Sequence, residues 1–192
     1  MSNTDLYRAA RDQLVEVIGD YDKAVETFAW PRLTGPFNWA IDWFDVIAAA
    51  NHRPALWIVE ADGSEQKISF AEMSERSNRV AAWLSALGVG KGDRLILMLG
   101  NQVELWEAML AIAKLGAIIM PTTGALGPAD LEDRISRGGA RFVIANAADT
   151  AKFDEVPGEY VRIVIGTADG WHSYADAEHS APGAFDTVTE VD

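Results

Sequence analysis

Three short apolar segments, separated by two amphipathic segments, constrain this sequence more than any other feature. They lie at residues 93–99, 117–121 and 141–145, and each is apolar almost throughout, without the alternation typical of a half-exposed strand. Strands of that composition are usually buried on both faces, in parallel sheets that helices cover. The sequence therefore predicts a β-α-β-α-β unit, which right-handed crossovers would make a doubly wound α/β fold.

The two intervening segments carry the start and stop signals of helices. Asn101 stands at an N-cap position with Glu104 at the third helical position, and Gly116 supplies a left-handed stop. Trp106 lies on the apolar side of this first helix and is predicted to pack it onto the sheet. The second helix begins at Gly127-Pro128, where a proline in the first turn loses no hydrogen bond, and ends at Gly138-Gly139.

Further elements are predicted before and after this unit. The sequence indicates an amphipathic helix over residues 4–18, a helical segment over 22–28, a linker over 30–36 and a docking helix that begins near residue 37, with Trp39 and Trp43 on one face. Strands at 55–59 and 67–69 flank the turn dipeptide Asp62-Gly63 and predict a hairpin. Ser69 and Glu72 then form a capping box. Short helices near 148–153 and 171–175 and a fourth buried strand at 161–165 follow.

These elements divide the chain into three parts. Residues 1–36 form an N-terminal helical extension and linker, and residues 37–180 form an α/β subdomain that includes the hairpin. Residues 181–192 are small and acidic, and we expect them to have nothing to fold against. The predicted fold class is thus α/β, with a doubly wound, mainly parallel sheet flanked by helices.

Composition argues against several classes of protein. Hydrophobic residues make up 49% of the chain, which is ample for a packed core. The longest apolar run is far too short to span a membrane, the N-terminus does not resemble a secretory signal, and cysteine is absent, so a cytoplasmic protein is expected. A formal net charge of −13 would repel phosphate backbones, so nucleic acid is not an expected partner.

The residues alone provide no catalytic constellation. The three histidines have no Asp, Glu or His at metal-ligand spacing, and no G-x-S-x-G or G-x-G-x-x-G motif is present. Residues 88–93 are glycine-rich like a phosphate loop, but they end a helix, and Gly92 instead of Ser or Thr follows Lys91. Because ligands of doubly wound sheets bind at the carboxyl ends of the strands, the candidate site comprises the loops 100–102, 122–128 and 146–151.

A set of short motifs extends from the docking helix to the last predicted helix. They are Phe37-Asn38-Trp39-Ala40, Ala55-Leu56-Trp57, residues 68–73, residues 90–94, Ala113-Lys114-Leu115-Gly116-Ala117 with Pro121, Asp130-Leu131 with Ile135, and Asp169-Gly170-Trp171. As a set, they resemble the opening part of AMP-forming acyl-CoA synthetases of the adenylate-forming superfamily, and they are most similar to the medium-chain members. The resemblance covers about residues 37–177.

This resemblance implies an ATP-dependent ligase. Such enzymes activate a carboxylic acid as an acyl-adenylate and transfer the acyl group to coenzyme A, with ATP and Mg2+ as further requirements. Their phosphate loop and catalytic lysine lie later in the chain. The resemblance therefore implies that the native polypeptide continues past Asp192 and that these 192 residues, alone, are inactive and bind no cofactor tightly. A self-standing, non-catalytic binding or assembly module with a Rossmann-like fold is the alternative.

Coenzyme A contacts are the site residues that the resemblance implies. Gly124 and Ala125 occupy the loop that lies along the coenzyme A nucleotide in related synthetases, some of which have Gln where Ala125 stands. Lys152 is near the position at which some acetyl-activating members place an Arg against the 3′-phosphate. An ordinary turn and a solvated lysine are the alternatives. No catalytic or metal-binding residue is expected within the chain.

Overall fold

The computed structural model describes residues 2–185. Its α-helices are α1 (Asn3–Glu16), α2 (Tyr21–Thr27), α3 (Val46–Ala48), α4 (Phe70–Ala86), α5 (Val103–Lys114) and α6 (Pro128–Gly138), with a π-helix over Trp39–Asp45 and 3-10 helices over Ala147–Phe153 and Tyr174–His179. Its strands are β1 (Pro54–Val59), β2 (Glu65–Ser69), β3 (Arg94–Met98), β4 (Ile118–Pro121), β5 (Phe142–Asn146), β6 (Val161–Ile165) and β7 (His172–Ser173). No helix in this range is long and apolar enough to cross a membrane.

Five strands form one parallel sheet in the order β4-β3-β5-β6-β7. This is the strand order of a flavodoxin-like doubly wound sheet. The chain adds β4 on one side of β3, the first strand of the sheet, and then adds the later strands on its other side. The direction of winding therefore reverses between β3 and β5. The predicted α/β fold class is confirmed.

The pleat of β3 assigns its side chains to two separate core clusters. Leu95 and Leu97 pack with α4, α5 and the 3-10 helix Tyr174–His179, whereas Ile96 and Met98 pack on the opposite face with α6 and the 3-10 helix Ala147–Phe153. Successive residues of a strand point to opposite faces, so a continuous apolar run satisfies both clusters. The prediction of a doubly buried strand holds for β3 and for β5.

The same prediction is wrong for β4. This strand lies at the edge of the sheet, and Ile118 is 44% exposed. An apolar run does not distinguish a central strand from an edge strand, because that difference depends on which other strands pair with it. The predicted helix near residue 171 also needs correction, because His172–Ser173 pairs with β6 as a short strand before the 3-10 helix begins.

Helix ends follow the sequence signals with one exception. The capping box is present, since Ser69 N–H donates to Glu72 Oε2 at 2.8 Å and Glu72 N–H donates to Ser69 Oγ at 3.2 Å. Gly116 has a φ of 66°, the left-handed value that favours glycine, and α6 begins with Gly127 as N-cap and a proline in its first turn. Asn101 is not an N-cap: α5 starts at Val103, and the Asn101 carboxamide instead accepts a hydrogen bond from an indole N–H.

The predicted docking helix is a π-helix, and its two tryptophans have different surroundings. Trp43 is buried and lies 4.8 Å from the ring of Tyr7 in α1, whereas Trp39 is 46% exposed. Trp39 instead contacts Phe44, with ring centroids 6.1 Å apart. The predicted shared face of Trp39 and Trp43 is therefore wrong.

The hairpin of β1 and β2 forms a separate antiparallel sheet, as predicted. It packs on α4 and the π-helix through a third apolar cluster that includes Phe44, Ile58, Ile68 and Met73. At the other end of the chain, residues 181–185 run beside α4, and Phe185 packs against the first core cluster. These five residues of the predicted tail therefore have a surface to pack on, and residues 186–192 lie outside the described range.

A buried lysine at the end of α5 joins three elements. The Lys114 side chain is fully buried, and its ammonium donates to Asp45 Oδ1 at 2.8 Å, to Ser77 Oγ at 2.9 Å and to Asn78 Oδ1 at 2.7 Å. Burial lowers the pKa of Lys114, whereas the hydrogen bond that its ammonium donates to Asp45 opposes that shift. Beside it, Asn38 Nδ2 donates to the carbonyl of Ala113 at 2.7 Å.

The prediction that Trp106 packs α5 onto the sheet is wrong, because Trp106 is 40% exposed. Trp83 of α4 is 8% exposed and packs in the first core cluster. Truncation of a buried aromatic residue typically costs about 3–5 kcal/mol. We therefore expect Trp83→Ala to lower the free energy of unfolding by that amount, and the matched Trp106→Ala to lower it by less than about half as much. Urea denaturation of both variants is the measurement, and equal losses would contradict the packing described here.

Candidate functional site

The carboxyl ends of β3 and β5 meet at the point where the sheet reverses its winding. Asn146 ends β5, and its Nδ2 donates to Gln102 Oε1 in the loop after β3 at 3.0 Å. Gln102 Nε2 donates in turn to Glu104 Oε2 at 3.1 Å. This chain of amides joins two of the three loops predicted to form the site, at the place where doubly wound sheets bind ligands.

The third predicted loop follows β4 and is a tight turn. The Thr122 N–H donates to the carbonyl of Leu97 at 3.0 Å, so the loop starts in register with β3. The Thr122 hydroxyl is buried and donates to the carbonyl of Met120 at 3.0 Å. Ala125 N–H then donates to Thr123 Oγ1 at 3.3 Å. Local hydrogen bonds thus shape the turn, while Gly124 and Ala125 remain exposed.

Lys152 connects this turn to the segment after β5. Its ammonium donates to Asp149 Oδ1 at 2.6 Å and to the carbonyl of Gly124. The structure therefore brings Gly124 and Lys152 into contact, with Ala125 as the next residue of the same turn. A Cβ on Gly124 would lie 3.7 Å from the Asp149 carboxylate, which is an ordinary contact. Lys152 is thus ion-paired, while part of its side chain remains exposed.

The glycine-rich segment 88–93 is a helix-to-strand turn, as predicted. Gly88 has a φ of 94° at the end of α4, and the Gly90 N–H donates to Asp93 Oδ2 at 2.8 Å. Arg141 donates to the other carboxylate oxygen of Asp93 at 2.6 Å. An anionic side chain already uses the N–H and the guanidinium that an incoming phosphate would need.

Metal-ligating side chains do not converge in this part of the protein. Within residues 2–185 no group of three or more His, Cys, Asp or Glu side chains is arranged to hold a metal ion. The residues at the carboxyl edge of the sheet include one ion pair, between Lys152 and Asp149. A ligand at this edge would meet the ion-paired ammonium of Lys152, the exposed turn residues Gly124 and Ala125, and the side-chain amides of Gln102 and Asn146.

Gln102, Asn146 and Asp149 belong to the candidate site, and the sequence analysis did not single them out. It located their loops correctly, because strand ends of a parallel sheet meet at one edge. It did not identify the partners, since a hydrogen bond between the loops after β3 and β5 depends on their adjacency in the sheet. That adjacency follows from the strand order, and hydrophobic periodicity predicts where strands lie in the sequence but not their order in the sheet.

Comparison with known proteins identifies a family over most of the chain. The AMP-binding enzyme family matches residues 45–190. Human "Acyl-coenzyme A synthetase ACSM2B, mitochondrial" is 31% identical over 151 residues, which cover 72% of this chain and 26% of that protein. "Uncharacterized acyl--CoA ligase YtcI" of Bacillus subtilis is 30% identical over 134 residues, covering 68% and 25%. The chain thus spans about a quarter of the length of these relatives.

A solved structure also matches this chain over part of its own length. The acyl-CoA synthetase of Brucella canis superimposes with a TM-score of 0.75 at 26% sequence identity. The superposition covers 88% of this chain and 33% of that one. The parallel sheet and its helices therefore correspond to one part of a larger protein of this fold.

Proposed function

This chain belongs to the AMP-binding enzyme family, and from that premise we propose that it is the N-terminal portion of an AMP-forming carboxylate–CoA ligase. The observation that carries the proposal is the family match over residues 45–190 in a chain that spans only about a quarter of relatives named as acyl-CoA synthetases or ligases. The remainder of the same polypeptide is then the main partner of these residues.

The proposed reaction has two steps. A carboxylate oxygen of the acid attacks the α-phosphorus of ATP, forming an acyl-adenylate and releasing pyrophosphate. The thiol of coenzyme A, after loss of its proton, then attacks the acyl carbon and releases AMP. Mg2+ would neutralise charge on the phosphates in the first step, and the donors that bind them belong to the remainder of the polypeptide. We expect the 192-residue chain to hold none of these ligands tightly.

We assign the coenzyme A nucleotide to the carboxyl edge of the sheet, at Gly124, Ala125 and Lys152. Three observations support this assignment: the turn is exposed, its backbone is fixed by Thr123, and the Lys152 ammonium touches it. A 3′-phosphate would compete with Asp149 for that ammonium and would gain a charge-assisted hydrogen bond. Ala125 has no side-chain donor, so its contribution is through the backbone alone.

The proposed substrate is a small-molecule carboxylic acid. The compartment that we propose is the cytoplasm. A self-standing, non-catalytic module with this fold is the second candidate. The two differ in one respect, since a ligase portion gains activity when the rest of its polypeptide is present and a module does not.

Carboxylate-dependent exchange of pyrophosphate with ATP tests the ligase proposal. We expect no exchange with the 192-residue chain, because its glycine-rich turn is closed by Asp93 and its net charge of −13 disfavours a triphosphate. The longer polypeptide is expected to catalyse exchange with at least one acid from a panel of short-chain, medium-chain and aromatic acids. Exchange by the short chain would refute the location of the phosphate site, and no exchange by the longer protein would favour the non-catalytic module.

Substitution of Lys152 tests the coenzyme A contact separately. Loss of a hydrogen bond to a charged group typically costs about 1.5–3 kcal/mol, so Lys152→Ala in the longer polypeptide should raise the KM for coenzyme A by about 10-fold to 100-fold. With dephospho-coenzyme A, which lacks the 3′-phosphate, the variant and the wild type should have the same KM. Lys23→Ala, on exposed α2, is the matched control. An unchanged KM for coenzyme A, or an equal loss with both thiols, would contradict the contact.

A further inference from the structure

The Asp149 carboxylate is close to both parts of the proposed coenzyme A contact. Its Oδ1 accepts a hydrogen bond from the Lys152 ammonium at 2.6 Å. Both of its oxygens lie 3.7 Å from an ideal Cβ on Gly124, in the turn after β4. The Asp149 side chain is 20% exposed, so solvent reaches only part of the carboxylate. A negative charge therefore adjoins both the cation and the turn of this site.

The 3-10 helix after β5 fixes this arrangement. Asp149 and Lys152 are three residues apart in Ala147–Phe153, and side chains at that spacing lie on the same face of a 3-10 helix. The Lys152 ammonium also donates to the carbonyl of Gly124, which directs it toward the turn. The ammonium thus has one anionic acceptor and one neutral acceptor. A phosphate that binds Lys152 will consequently approach Asp149.

Two hydrogen bonds that share one ammonium limit the distance between Asp149 and such a phosphate. A charge-assisted bond from Lys152 to a phosphate oxygen would be about 2.7–2.9 Å long. Together with the 2.6 Å bond to Asp149, it places the two anionic oxygens at most about 5.5 Å apart. A phosphate monoester carries about −1.5 to −2 charges at pH 7. The Debye length at physiological ionic strength is about 8 Å, so salt screens this repulsion only in part.

The same carboxylate also has a favourable effect, which is smaller. It holds the Lys152 side chain in one orientation, but that side chain is 31% exposed, and ion pairs of partly exposed side chains contribute little. The Gly124 carbonyl fixes the ammonium as well, and this acceptor would remain if the carboxylate were removed. Repulsion of the phosphate is therefore the dominant effect of Asp149 on an anionic ligand.

We propose that Asp149 is a specificity-determining residue that weakens the binding of the 3′-phosphate of coenzyme A. The proposal rests on the proposed function, since it assigns that phosphate to Lys152. Asp149 lowers the preference of the site for coenzyme A over dephospho-coenzyme A, which has no 3′-phosphate. The thioester product carries the same phosphate, so Asp149 weakens the binding of the product as well. The residue thereby favours product release.

Substitution of Asp149 tests the proposal through binding alone. In Asp149→Asn the side chain keeps its size and a carbonyl oxygen that can accept from Lys152, but it loses its negative charge. In the longer polypeptide, we expect the Kd for coenzyme A to fall about fivefold, because a repulsive charge is removed. The Kd for dephospho-coenzyme A should not change. Isothermal titration calorimetry measures both constants.

Asp12→Asn is the matched control, because Asp12 is also paired with a cation, Arg11, at 2.6 Å and lies at an exposed position of α1. It should leave both constants unchanged. A fall in Kd that is confined to coenzyme A and to Asp149→Asn supports the role of Asp149. A higher Kd for coenzyme A would mean that Asp149 positions Lys152 instead, and it would overturn the proposal. An unchanged Kd, or an equal change with both thiols, would overturn it as well.

The calorimetric test separates this proposal from the proposed function. Binding does not depend on catalysis, so the predicted Kd values without pyrophosphate exchange would count against the ligase activity alone. Exchange without a change in Kd would count against the role of Asp149 alone. No detectable binding of coenzyme A to either protein would overturn that role together with the coenzyme A contact at Lys152.

Discussion

The buried ammonium of Lys114 is the interaction on which the arrangement of this protein depends. A charge removed from water is costly unless hydrogen bonds and a counter-charge replace its hydration. Lys114 recovers both from elements distant in sequence, since Asp45 ends the π-helix and Ser77 and Asn78 belong to α4. Because α5 is the first crossover of the sheet, this one side chain holds the π-helix and α4 in fixed positions against it.

Two of the motifs that resemble acyl-CoA synthetases meet at this point. Asn38, from the motif at residues 37–40, donates to the carbonyl of Ala113, and Lys114 belongs to the motif at residues 113–117. These motif residues therefore stabilise the fold and do not contact the candidate coenzyme A site. The site residues Gly124, Ala125 and Lys152 lie instead at the carboxyl edge of the sheet that this framework supports.

The sequence predicted local features well and long-range features poorly. Glycine and proline signals located the ends of α4, α5 and α6, and continuous apolar runs located β3, β5 and β6, because both depend on neighbouring residues. The exposure of Ile118 and Trp106 was predicted wrongly, since it depends on which strand or helix lies outside them. The loops of the candidate site were predicted because they follow the strands directly in sequence. The pairs Gln102–Asn146 and Lys152–Asp149 were not predicted, because the placement of these residues at one site depends on elements that are distant in sequence.

A double-mutant cycle on Lys114 and Asp45 tests most directly whether the buried ion pair holds these elements together. Lys114→Met, Asp45→Ala and the double variant would be unfolded in urea. Removal of one partner of a buried pair costs about 3–5 kcal/mol, much of which comes from the charge left behind. The double variant should therefore be more stable than the sum of the single losses predicts, by at least about 1 kcal/mol. Additive losses, within about 0.5 kcal/mol, would contradict the central role assigned to this pair.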